Sequence, residues 1–179
     1  GSPGLNCGGL SVAHELFDEV AKYVRETALL ETTFAVLEWD ERTGLPAEAG
    51  GYRAEQATFL SGLIHQRKTC PQYGEKLAKL QESDLVSSGG ELATRATIER
   101  LSKDYKRNTQ LPMDLVQAIS KATVLGQQAW EQARAKDDWV MFKPHMSEVY
   151  ALRKQESELI KGDGSLYDGV RDQYEEGAS

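Results

Sequence analysis

The residues of this chain that could hold a metal, act as a base or supply a nucleophile are few. They are three histidines, two cysteines and a scatter of carboxylates. His14-Glu15-Leu16-Phe17-Asp18 opens like the helical His-Glu-x-x-His pattern, in which two imidazoles one turn apart bind zinc and the Glu acts as base. It closes on Asp rather than His, an oxygen donor that would suit a hard cation, and its polar members read best as a solvated helix face. His145 and Glu148 put two potential ligands on one helix turn. Helical di-metal sites use the reverse order, Glu-x-x-His, in duplicate and with further Glu residues, so this pair reads as a surface hydrogen bond. His65 stands near Arg67 and Lys68 with no anionic partner in sequence, and reads as a helix-end histidine. Cys7 and Cys70 are too few for a disulfide framework or a four-thiolate site. Cys70, before Pro71, reads as a small junction residue rather than a reactive thiol. No glycine-rich phosphate loop and no serine elbow is present.

The elements that must position these groups belong to a globular chain. Of its 179 residues, 27% are charged and 40% hydrophobic, which argues against disorder and allows one domain with a proper core. The formal net charge of −7, without a basic stripe, argues against a nucleic-acid partner. No apolar run approaches the ~20 residues that span a bilayer. An unpaired cysteine couple and no visible signal peptide make the cytoplasm the expected address. Gly1-Ser2-Pro3-Gly4 has the look of an expression remnant, so residues 1–10 are assigned to a remnant or disordered N-terminus, and 11–179 to a helical domain.

Within that domain apolar residues recur at helical spacing. Val12, Leu16, Val20, Tyr23 and Val24 open a run that continues through Leu29, Leu30, Phe34 and Leu37 to Trp39, as one long helix or two in succession. Beyond Pro46, Tyr52, Phe59, Leu60, Leu63 and Ile64 share a side. Pro71 starts a helix with Tyr73, Leu77 and Leu80 that ends near Ser83. Ser88 and Glu91 have capping-box spacing before Leu92, Ile98, Leu101 and Tyr105. After Pro112 come Leu115, Val116, Ile119, Ala129, Trp130 and Ala133. Asp138 is placed as the N-cap of a further helix carrying Phe142, Met146, Val149 and Leu152, with Pro144 in its first turns and Gly162-Asp163-Gly164 as its stop. A short segment from Leu166 to Tyr174 closes the chain. No strand pattern and no internal repeat is seen. The fold class expected is all-α, with about seven amphipathic helices, and Trp39, Trp130 and Trp139 are placed in core packing rather than ligand stacking.

The densest punctuation lies between Val36 and Phe59. A helical run ends at Trp39, a polar turn follows through Asp40, Glu41, Arg42, Thr43 and Gly44, and Pro46 breaks the chain. This reads as a fixed corner, with the Trp39 indole buried and Asp40 and Arg53 meeting or sharing a partner. The string Trp39-Asp40-x-x-Thr43-x-Leu45-Pro46, followed by Arg53-x-x-Gln56-x-x-x-Leu60, resembles the N-terminal signature of the metallocarboxypeptidases of the carboxypeptidase Taq type. Leu45 stands where that family usually has Met, a nearly volume-conserving exchange. Trp130-x-x-Ala133-Arg134 with Asp138-Trp139-x-x-Phe142-x-Pro144 resembles a later family segment. Tyr167-Asp168-x-x-x-Asp172-x-Tyr174-Glu175-x-Gly177 resembles the stretch leading into the family's catalytic half, with Glu176 where the family usually has Pro.

The resemblance covers nearly the whole chain in order, and it implies the N-terminal helical part of a larger cleft-shaped peptidase. The implied parent removes C-terminal residues from peptides with zinc or cobalt, bound by a His-Glu-x-x-His helix that would lie beyond Ser179. The segment holding His14 is not where the family has its metal. It follows that this chain holds no catalytic, metal or cofactor residues of its own, and that Trp39, Asp40, Thr43, Pro46, Arg53 and Gln56 are a structural signature. The implied partners are the missing catalytic domain, a peptide substrate in the parent, and a homodimer, with neither nucleic acid nor membrane. An apolar area meant for the missing part is then expected on one side. The alternative from a different class is a stand-alone helical interaction module without enzymatic activity, which the same amphipathic pattern would serve.

Overall fold

No Gly or Pro falls between Leu10 and Gly44, and nothing interrupts the first helix. In a computed structural model that describes residues 7–87 and 90–161, α1 runs unbroken over Cys7–Thr43, 37 residues. Then follow a 3₁₀ turn at Ala47–Ala49, α2 (Gly50–Lys68), α3 (Pro71–Gln81), α4 (Leu92–Thr109), α5 (Met113–Lys136) and α6 (Trp139–Ile160). Among the described residues there is no strand. Six α-helices and one 3₁₀ turn stand against the seven or so elements expected. The closing segment from Leu166 to Tyr174, the Gly162-Asp163-Gly164 stop and the Ser88 half of the capping box lie outside the described residues. The chain divides into two compact units, one of residues up to Leu30 with Gln66–Thr109, the other of Glu31–His65 with the residues from Gln110.

In the first unit the early part of α1 packs with α3 and α4 around Val20, Leu77, Leu80, Leu85 and Ile98. Tyr73 stacks on Tyr23 at 5.1 Å and meets the edge of Tyr105 at 5.7 Å, the offset and edge-on geometries that ring quadrupoles favour. Burial pushes the Tyr73 phenol up to about 12, with Asp104 and Tyr23 adding to it. The Arg67 guanidinium lies 4.1 Å over the Tyr23 ring and donates to Thr27 Oγ1, the Tyr23 carbonyl and Glu26, while the Tyr23 hydroxyl donates back to the Arg67 carbonyl. Gly74 is required here, because any Cβ at that position would run into the Tyr105 ring. Cys70 occupies the N-cap position of α3, ahead of Pro71. The Tyr73 amide directed at its sulfur lowers the thiol's pKa, and burial opposes the shift.

The second unit is built on small residues. The buried face of α2 is Gly50, Ala54, Ala57, Ser61, Gly62, Ile64 and His65. Gly50 lies against the Gln128 side chain and Gly62 against that of Gln117, so α2 and α5 run antiparallel with glutamines of α5 laid on the α2 backbone. Gln117 also donates to the Thr58 carbonyl at 3.3 Å, and His65 Nε2 lies 2.7 Å from the Leu111 carbonyl oxygen. The apolar stripe assigned to α2 holds in part, since Ile64 is buried and Leu60 and Leu63 are half-buried, but Phe59 is 70% and Tyr52 68% exposed. Small residues of α2 face the glutamines of α5, and those two large rings turn outward. Val12, Leu29 and Leu92, expected on buried faces, are likewise exposed.

The α5–α6 connection is tight because both its residues are specialised. Asp137 takes the left-handed conformation at φ 52°, one that Asp tolerates better than most residues, and the Asp138 amide reaches back to the Ala133 carbonyl at 2.8 Å. The Asp138 carboxylate then accepts from the Met141 amide at 3.2 Å, as expected for the N-cap of α6. Gly126, eleven residues before Asp137, meets Val149, eleven residues after Asp138. That register makes α5 and α6 an antiparallel hairpin.

Candidate functional site

The corner between α1 and α2 is held by Arg53. Its guanidinium donates to Asp40 Oδ2 at 2.7 Å, to the Leu37 carbonyl at 2.6 Å and, through Nε, to Gln56 Oε1 at 3.0 Å. One planar fork thus ties the first turn of α2 to the last turns of α1, a geometry the compact ammonium of Lys could not reproduce. The Thr43 hydroxyl donates to the Trp39 carbonyl at 2.9 Å, and the Gly44 and Leu45 amides close the helix end onto the Asp40 carbonyl. Pro46 opens the 3₁₀ turn, its carbonyl accepting from Ala49 at 3.0 Å. The six signature residues therefore share one corner, and Asp40 and Arg53 meet directly. The Trp39 indole does not follow expectation, for it is 68% exposed. Only its backbone takes part in the corner. Trp130 and Trp139 are also substantially exposed, against the core packing expected of all three.

Glu41 is the corner residue that sequence patterning did not single out. Its Oε1 is buried with no hydrogen-bond partner. Burial raises its pKa, opposed by Arg53 and Arg42 and assisted by Glu131 and Glu38. A buried orphan carboxylate oxygen carries no periodicity signal, so only coordinates reveal it.

Beside the corner, the α5–α6 hairpin and Arg42 enclose an open groove of about 710 Å³. Its walls are Gly126, Trp130, Phe142, Met146 and Val149, with Thr123, Gln127 and Tyr150 between them. The charged and titratable lining is Arg42, His145, Tyr150 and Arg153, with no carboxylate among the lining residues, while Arg42 and Arg153 also line an adjoining groove with Glu38 and Glu41. Arg153 pairs with Glu156 at 2.8 Å, outside that lining. The Trp139 ring meets Phe142 edge-on at 5.6 Å near the hairpin turn.

For hydrolytic chemistry the described residues offer no metal site. Among them no group of three His, Cys, Asp or Glu side chains is arranged to hold an ion. His145 lines the groove, His65 faces a carbonyl, and His14 belongs to the other unit. No helix among the described residues is long and apolar enough to cross a membrane.

Comparison with known proteins gives this geometry its setting. The sequence is 35% identical over 170 residues to thermostable carboxypeptidase 1 of Thermus thermophilus, a match covering 90% of this chain and 33% of that protein. It is 28% identical over 151 residues to carboxypeptidase 1 of Bacillus subtilis, covering 81% of this chain and 28% of the relative. Among solved structures, Pyrococcus furiosus carboxypeptidase superposes with a TM-score of 0.70 at 25% identity, over 92% of this chain and 32% of that one. The BsuCP crystal structure shares the fold with a TM-score of 0.84 at 23% identity, over 93% of this chain and 33% of its own. The chain thus spans about a third of the length of the relatives it matches. The profile of the carboxypeptidase Taq (M32) metallopeptidase family matches residues 19–179, and the chain belongs to that family.

Proposed function

We propose that this chain is the N-terminal helical portion of a metal-dependent carboxypeptidase that removes C-terminal residues from peptides in the cytoplasm. The observation that carries the reading is the family match over residues 19–179. In the parent, a divalent metal, zinc or cobalt, supplies Lewis-acid polarisation of the scissile carbonyl and an activated water. The described residues do not fit that metal, since they bring together no three suitable ligands, and no catalytic step is assigned to them. Their role is to shape the cleft wall and to hold its helices at fixed angles through the Arg53 corner.

The test is a chimera in which this chain replaces the matching third of the Thermus thermophilus protein. The chimera is expected to release C-terminal amino acids from blocked dipeptides when zinc or cobalt is supplied, and the isolated chain to release none. Elemental analysis of the isolated chain, purified without a chelating column, should find well under one zinc per molecule. Turnover by the isolated chain near the chimera's rate, or a tightly held zinc surviving dialysis, would refute the non-catalytic role. A folded but inactive chimera would refute the structural role.

A further inference from the structure

We draw no further inference here: the strongest candidate, the pocket of about 190 Å³ at the α5–α6 turn walled by Trp130, Trp139 and Phe142 beside Asp137 and Asp138, already has this chain's own Arg134 guanidinium 5.3 Å over the Trp130 ring and Asp138 engaged with the Met141 amide, and nothing in the structure points to another ligand for it.

Discussion

Removing either side of the Asp40–Arg53 pair should destabilise the second unit, but by different routes. The Arg53 side chain is 11% exposed and Asp40 is 48% exposed. Arg53→Met deletes three hydrogen bonds, to Asp40, the Leu37 carbonyl and Gln56, and returns a half-exposed carboxylate to water. Hydrogen bonds to charged groups contribute about 1.5–3 kcal/mol each when buried. Solvent access at Asp40 and the remaining helix bonding of the Leu37 carbonyl reduce that sum, so a loss of about 3 kcal/mol is expected. Asp40→Ala leaves a nearly buried guanidinium with the Leu37 and Gln56 acceptors only. Breaking a fully buried pair costs about 3–5 kcal/mol, and the two surviving acceptors bring the expected loss to about 2 kcal/mol. The double variant should then lose less than the sum, with a coupling of about 1–2 kcal/mol. Urea unfolding followed by far-ultraviolet circular dichroism, at low and at high salt, measures all four proteins. A coupling below about 0.3 kcal/mol would show that the pair is geometric only, and the account of the corner would fail.

Two further tests probe the packing and the buried acid. Gly74→Ala forces the Tyr105 ring to move and should cost about 1–3 kcal/mol by overpacking. Gly126→Ala meets only Val149 at 3.6 Å in a helix interior and should stabilise by about 0.5–1 kcal/mol; thermal melts showing the same sign for both would refute the packing. For Glu41, whose pKa is raised chiefly by burial, the folded state holds its proton to higher pH than the unfolded state does. Stability therefore falls as pH rises from the ordinary carboxylate value through the raised one. Glu41→Gln should flatten that part of the stability profile, and an unchanged pH slope would exclude the burial argument.

The sequence made helix boundaries readable wherever one residue dictates the backbone. Pro71 opens α3, Pro112 stands at the N-cap of α5, and the Asp138 carboxylate caps α6. The corner was readable for a related reason. Thr43 and Gln56 bond within one helical turn, and the Pro46 break folds Arg53 back onto Asp40, 13 residues earlier. What spacing could not encode is which face of a helix meets another. The α2 pattern offers a large apolar face with Tyr52 and Phe59 and a small one with Gly50, Ala54, Ala57 and Ser61. Counting hydrophobicity selects the first, but burial selects the second. The reason is geometric. Short side chains on α2 leave its backbone open to the Gln117 and Gln128 side chains, whose dispersion contacts a larger residue at Gly50 or Gly62 would displace. Trp39, Tyr52 and Phe59 are then left outside on α1 and α2, as Trp130 and Met146 are along the groove. In a chain covering a third of its relatives' length, a helical period identifies an apolar face and is silent on what covers it. The exposed aromatics are thus where a reading from periodicity fails.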